Sequence, residues 1–304
     1  MERVEDYAHP VTHFVFDLEF IGDVRKLSTC FIWEIAVYCP RTQQWFDHVV
    51  DPDPVMLTFP PPPIPEIPQL TRAFLQQNRA VTWDKVFAQL VVWTHQQSAG
   101  TTPVFISHNT FRADKPILEL ECRRYSAHMP IQWYFFDSLH FARRVIRNAS
   151  GNYSLTGLHE QLFGTGIQNA HRARWDVVAC CAILNRLTHG QWQFQGPMYP
   201  AYATALRTIR WIGQKAEQML FDSNVRSVEQ LYTILLEEAR SNYTQRGMDF
   251  ATSVHHTLTA RLGDKLPKDN IRNIAGVLAA THKCIYCHTF MEPLELSCGL
   301  QSPK

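Results

Sequence analysis

From His13 to Phe20 the chain is a run of apolar β-formers interrupted by two carboxylates, Asp17 and Glu19. Such a run predicts a buried strand. Side chains alternate faces along a strand, so both acids are expected on one side. Two like charges held close are costly unless a cation lies between them. The pair is therefore either the start of a metal site or simply a polar strand end.

The pattern continues with a second apolar strand over Cys30–Tyr38 and a third over Gln44–Val50, joined by a turn at Pro40–Gln43. Three strands this close in sequence predict an antiparallel meander. Phe59–Pro68 holds six prolines, which excludes helix and central strand and predicts an extended surface loop. Helices are expected over Leu70–Gln77 and Thr82–Gln97; in the second, Val86, Leu90 and Trp93 form one apolar face. A short strand (Pro103–Ser107), a helix (Asp114–Ala127) and a strand (Ile131–Phe136) come next. Asp137–Arg147 is a helix capped by Asp137 or Ser138, and Leu155–Phe163 and Trp175–His189 are further helices. The order predicts an α/β domain, a mixed five-stranded sheet flanked by helices. Across Gly190–Ala203 the composition shifts to Gln, Gly, Pro and aromatic residues, which reads as a boundary. The expected organisation is a first domain over 11–190, a smaller all-α domain over 200–281 and a Cys/His-containing tail over 282–304.

Composition changes this picture little. Hydrophobic content of 45% suits a soluble globular chain, and no apolar run is long enough to span a bilayer. The charged N-terminus lacks a signal-peptide core, so the expected location is intracellular: cytoplasmic, nuclear or inside a virion. In such compartments the eight cysteines are expected as thiols or metal ligands rather than disulfides. A net charge of +1 gives no broad electrostatic footprint for a polyanion, so any nucleic-acid contact must come from local patches.

Three further segments carry chemistry. Ser107–Leu118 is a strand end, a polar turn with His108 and Asn109, and a helix that starts at Asp114. Phe136–Leu139 contains Asp137. His171–Asp176 leads into an apolar helix. With Asp17-Leu18-Glu19, the run Ile32-Trp33-Glu34-Ile35-Ala36-Val37, His108-Asn109 with Asp114 and Ile117-Leu118, the helix with Leu155 and Leu158, and His171, Ala173 and Asp176, the chain resembles the DEDDh 3′–5′ exonucleases, relatives of polymerase proofreading domains. The resemblance covers roughly residues 11–190. It has two departures: one residue more than usual between Asn109 and Asp114, and Phe20-Ile21-Gly22 where Thr-Thr-Gly is common.

The resemblance implies a ribonuclease H-like fold. It also implies a site in which Asp17, Glu19, Asp114 and Asp176 hold two Mg²⁺ or Mn²⁺ ions and His171 is the general base. The residue chemistry agrees, since four hard oxygen donors suit Mg²⁺ or Mn²⁺ rather than zinc, and an imidazole titrates near neutral pH. The implied activity is hydrolysis of DNA or RNA from the 3′ end with release of nucleoside monophosphates. The alternative is an inactive nuclease-fold module that binds nucleic acid or a protein. Phe20 and Ile21 are candidates to touch the terminal base, or are core residues. Asn109 is expected to orient the substrate, and Arg172 and Arg174 to contact phosphates.

In the second domain, Thr208–Glu217 and Ser223–Leu231 resemble a helix-hairpin-helix module, with Trp211 where glycine is usual and Ser227 as a helix cap. A plain helical packing domain that meets a protein partner is the other reading. Cys284, Cys287, His288 and Cys298 have zinc-ligand chemistry without a clean second pair, so they are either a structural zinc clip or free thiols. The unusual second domain suggests a lineage-specific protein, with a large DNA virus as one expected source.

Overall fold

The computed structural model describes residues 10–23, 29–52, 72–146, 151–194, 196, 198–203, 206, 209, 212–246, 249–262 and 268–286. Two compact units divide between Tyr202 and Ala203.

The first unit is a mixed sheet with helices on both faces. Its strands are β1 (Val11–Ile21), β2 (Phe31–Cys39), β3 (Gln44–Val49), β4 (Thr102–Ser107), β5 (Tyr134–Asp137) and β6 (Tyr199–Pro200), in the spatial order β3-β2-β1-β4-β5-β6. β1–β2 and β2–β3 are antiparallel, β1–β4 and β4–β5 parallel, and β5–β6 antiparallel. The expected meander and the two later strands are all present. The sheet has six strands rather than five. The added β6 is two residues long and falls in the stretch read as a boundary, where Pro200 and the aromatic residues hide a strand signal. A proline is tolerated there because β6 is an edge strand.

The helices of this unit are α1 (Arg72–Gln77), α2 (Trp83–Ser98), α3 (Asp114–Arg124), α4 (Ser138–Val145), α5 (Leu155–Phe163) and α6 (Ala173–Leu187). The two-residue alternation of β1 divides the core. Val15 joins Ala36, Val104 and Ile106 under Val177, Cys180 and Leu184 of α6. Phe14 and Phe16 point the other way, where they meet Trp93 of α2, Phe105 and Phe135. Asp17 and Glu19 share the parity of Val15, so the alternation sets both toward α6. Burial of these aromatic and branched residues supplies most of the driving force for the layered fold.

The register of β1 on β2 shifts between Glu19 and Phe20: Glu19 pairs with Glu34, but Phe20 pairs with Ile32, which leaves Trp33 as the extra residue. Such a bulge bends the strand and re-aims the side chains beyond it. Past the bulge, Ile21 is buried with Trp33 and Phe74. Gly22 then turns the chain at φ +114°, a conformation that L side chains rarely adopt. The proline-rich stretch 59–68 lies outside the described residues.

The second unit is helical, with α7 (Gln214–Asp222), α8 (Val228–Arg246), α9 (Phe250–Leu262) and α10 (Lys268–Tyr286). Ser227 caps α8 as expected, its Oγ accepting from the Gln230 amide at 3.3 Å. Trp211 lies outside the described residues. So do Cys287, His288 and Cys298, and only the backbone of Cys284, in α10, is described. Among the described residues, Cys30, Cys39, Cys122, Cys180 and Cys181 are free thiols, and no helix is long and apolar enough to cross a membrane.

Candidate metal centre

Three carboxylates converge at the C-terminal end of β1. Asp17 and Glu19 come from the strand, and Asp176 from the first turn of α6. One carboxylate oxygen from each lies within 4.8 Å of the others. Asp114, the first residue of α3, stands outside this trio and is almost fully buried. Its charge is nevertheless the strongest of those acting on Asp17. The Ser107 hydroxyl donates to Asp114 Oδ2 at 2.8 Å, which fixes one oxygen of that carboxylate. Residues 108–113 form a turn that leads directly into the helix start at Asp114.

The electrostatics show strong mutual repulsion among these acids. Burial, then the charges of Asp114, Glu19 and Asp176, hold the Asp17 carboxyl well above the usual carboxylate range. Glu19 is pushed up to about 8, chiefly by burial and then by Asp176. Burial lifts Asp114 to about 7 against the hydrogen bonds from Ser107 and the Leu18 amide. It lifts Asp176 to about 6 against the amide of His171. Four carboxyl groups in one largely buried place are stable only protonated or neutralised by cations. All the donors are hard oxygens, so the residues fit Mg²⁺ or Mn²⁺ and not a thiolate-seeking metal.

His171 lies on the exposed loop that leads into α6, in a left-handed conformation (φ 66°). Its backbone N–H donates to Asp176 Oδ2 at 3.2 Å, so the loop is tethered to a member of the trio. The rest of the loop is held by Glu34. The Arg172 Nε and Nη2 donate to Glu34 at 3.0 and 2.8 Å, and the Ala173 amide donates to it at 3.1 Å. A carboxylate in the apolar run of β2 was the sequence's signal for this contact. Its partner, 138 residues away, had none.

The candidate substrate residues separate in the fold. Phe20 is half-buried beside the bulge, whereas Ile21 is packed in the cluster with Trp33. The Arg172 guanidinium is engaged by Glu34, and Arg174 is paired with Asp47 and lies over the Trp45 ring at 4.5 Å. Asn109 adopts φ 72° and donates its backbone N–H to Asp137 Oδ1 at 3.2 Å. Asp137 caps α4 through the amides of Leu139 and His140. His108 is structural: its ring bridges Ser138 Oγ at 3.0 Å and the Tyr153 carbonyl at 2.8 Å.

Strand order and pairing directions define a mixed six-stranded α/β sheet of ribonuclease H-like topology, and the acid cluster at the end of its β1 is a candidate metal centre. No family model and no curated protein matches the chain. Among solved structures, it is similar to the nuclease domain of 3′hExo, a DEDDh family member, bound to rAMP: 14% identity over 64% of this chain and 99% of that one, with a TM-score of 0.48. It is also similar to a 3′-exonuclease in a structure of 3′-end specific recognition of the histone mRNA stem-loop, at 13% identity over 60% and 84% of the two chains, with a TM-score of 0.46.

Proposed function

We propose that the protein is a divalent-metal-dependent 3′–5′ exonuclease that hydrolyses nucleic-acid phosphodiester bonds and releases nucleoside monophosphates. The observation that carries this reading is the convergence of Asp17, Glu19 and Asp176 within 4.8 Å, with the charge of Asp114 acting on Asp17. These four would hold Mg²⁺ or Mn²⁺. Bound as a pair, such ions neutralise phosphate charge, lower the pKa of the attacking water and stabilise the leaving oxygen.

The chain's own residues supply the rest. His171 takes the proton from the attacking water at a ring nitrogen. Its loop is fixed by the hydrogen bond from the His171 backbone N–H to Asp176 and by Glu34 holding Arg172 and Ala173, which keeps residue 171 next to an acid of the trio. Ser107 orients Asp114. Phe20, next to Glu19, borders the place of the terminal nucleotide, and Asn109 shapes the turn that carries Asp114. The helical second unit is the part available to a protein partner.

The test is digestion of end-labelled single- and double-stranded DNA and RNA, in parallel, with Mg²⁺, Mn²⁺ or EDTA. The expected outcome is stepwise shortening from the 3′ end with either metal and none with EDTA. Binding of a strand without metal-supported shortening of any of them would leave a nuclease-fold binding module instead.

A further inference from the structure

Behind the acids lies another set of bonds. Asp114 begins α3 without a side-chain cap: the residue before it is Ala113, at φ −126° and ψ −80°. Alanine is a poor helix cap, so α3 does not fix its own start. The turn at 108–113 does. The Asn109 carbonyl accepts the amides of Arg112 at 3.1 Å and Ala113 at 3.2 Å, and the Thr110 carbonyl accepts that of Lys115 at 2.9 Å. The peptide groups of Asn109 and Thr110 therefore bracket Asp114.

The turn is held in its place by β5. Strands β4 and β5 end level, with Ser107 paired to Asp137. Asp137 is buried, and its Oδ1 accepts three backbone N–H groups: Leu139 at 2.9 Å, His140 at 3.3 Å and Asn109 at 3.2 Å. The first two cap α4. The third is not part of a cap, since it reaches across to the turn that carries Asp114. Asn109 needs such a tie, because its φ of 72° is in the left-handed region, which is costly for a residue with a Cβ. The Thr110 hydroxyl adds a neighbouring bond to the Phe136 carbonyl at 2.8 Å.

We propose that Asp137 is a positioning residue of the candidate metal centre: through the Asn109 N–H it sets where the Asp114 carboxylate stands, without itself touching metal or substrate. The proposal rests on the metal-centre reading and adds a residue to it. A helix cap alone would give Asp137 a part in stability and none in metal affinity. A positioning residue has both, because partners that orient metal ligands typically change metal affinity by roughly 10- to 100-fold when removed.

The experiment measures Mn²⁺ binding to the full chain, with no nucleic acid present, from the electron paramagnetic resonance signal of free Mn²⁺. Wild type is compared with Asp137→Ala, Asp137→Asn, Asp137→Ser and Ala142→Gly. Asparagine keeps an oxygen that can accept all three N–H groups. Serine keeps a capping oxygen on a side chain one bond shorter, which serves the α4 amides but not Asn109. Ala142→Gly weakens α4 from its interior and leaves the Asn109 bond intact. Thermal melting without metal reports the destabilisation of each. The expected result is at least a tenfold loss of Mn²⁺ affinity in Asp137→Ala and Asp137→Ser, and affinity within about threefold of wild type in Asp137→Asn and Ala142→Gly. Asp137→Ser carries the test where Asp137→Ala does not fold. Wild-type affinity in Asp137→Ser overturns the proposal. So does an equal loss in Asp137→Asn, which would make the charge and not the bond responsible, or an equal loss in Ala142→Gly, which would make it an effect of helix stability. Any of these with Mn²⁺ bound by wild type removes the positioning role alone, whereas absence of Mn²⁺ binding by wild type removes the metal centre as well.

Discussion

At the scale of single residues, the carboxylates set the behaviour of the metal-free protein. Ordinary carboxylates ionise near pH 4 in an unfolded chain. Glu19, held at about 8, and Asp114, held at about 7, keep protons in the fold that the unfolded chain has already lost. Their contribution to stability is complete below about pH 4 and is lost as the pH rises toward 8. Asp17→Asn removes one of the repelling charges. In EDTA at pH 8 the variant should melt above wild type, by a margin that shrinks toward pH 5. Mg²⁺ should raise the wild-type melting temperature at pH 8 and raise that of the variant much less. Equal melting temperatures in EDTA at pH 8 would refute the charge crowding. For His171, the expected effect of His171→Ala is a loss of ~10²-fold or more in kcat, the usual contribution of a positioned acid or base. A loss below tenfold in a digestion time course would remove it as the base.

At the scale of elements, the site depends on β1 ending where it does. Gly22 makes that end. A Cβ there would sit 2.2 Å from the carbonyl oxygen of Thr29, a backbone atom that cannot swing aside, and φ +114° is itself strained for any L side chain. Gly22→Ala should therefore cost ~1–3 kcal/mol or more, read as a lower denaturant midpoint. An unchanged midpoint would show that the turn relaxes freely. The elements also separate local signals from non-local ones. Alternating apolar residues placed β1, β2 and β3 within a few residues, and capping chemistry placed α4 at Asp137 and α8 at Ser227, because each signal is local. The convergence of Asp17, Glu19 and Asp176 was legible for the same reason: a carboxylate in an apolar strand or at a helix start stands out. The Glu34–Arg172 pairing, the fixing of Arg174 by Asp47 and Trp45, and the burial of Ile21 were not. Each depends on which strands lie side by side and on the bulge after Glu19, and register is a non-local property. The β6 strand escaped for a different reason, since two residues ending in proline carry no periodicity.

At the scale of the whole molecule, every residue of the candidate centre belongs to the unit that ends at Tyr202. We propose that this unit is the catalytic domain, so its boundary lies beyond the expected one at 190 and includes β6. A chain of residues 1–202 should melt in one cooperative transition and digest a single-stranded oligonucleotide with Mg²⁺ at a rate within about tenfold of the full chain, a difference of ~1.4 kcal/mol in barrier. Cooperative melting without digestion would show that the helical unit contributes to turnover. The five described thiols need no oxidant to fold, so this shorter chain should behave alike with and without reductant.

The wide spacing of the acids along the chain also has a consequence in time. Asp17 and Glu19 leave the ribosome early, Asp114 later and Asp176 last, shortly after His171. At synthesis rates of about 5–20 residues per second, roughly 8–30 s separate the first pair from the last acid. During that interval the nascent chain carries most of the ligands but cannot close the trio, because α6 does not yet exist. A protein built in this order has no closed acid cluster until the ribosome has passed residue 176, while it is still tethered to its message.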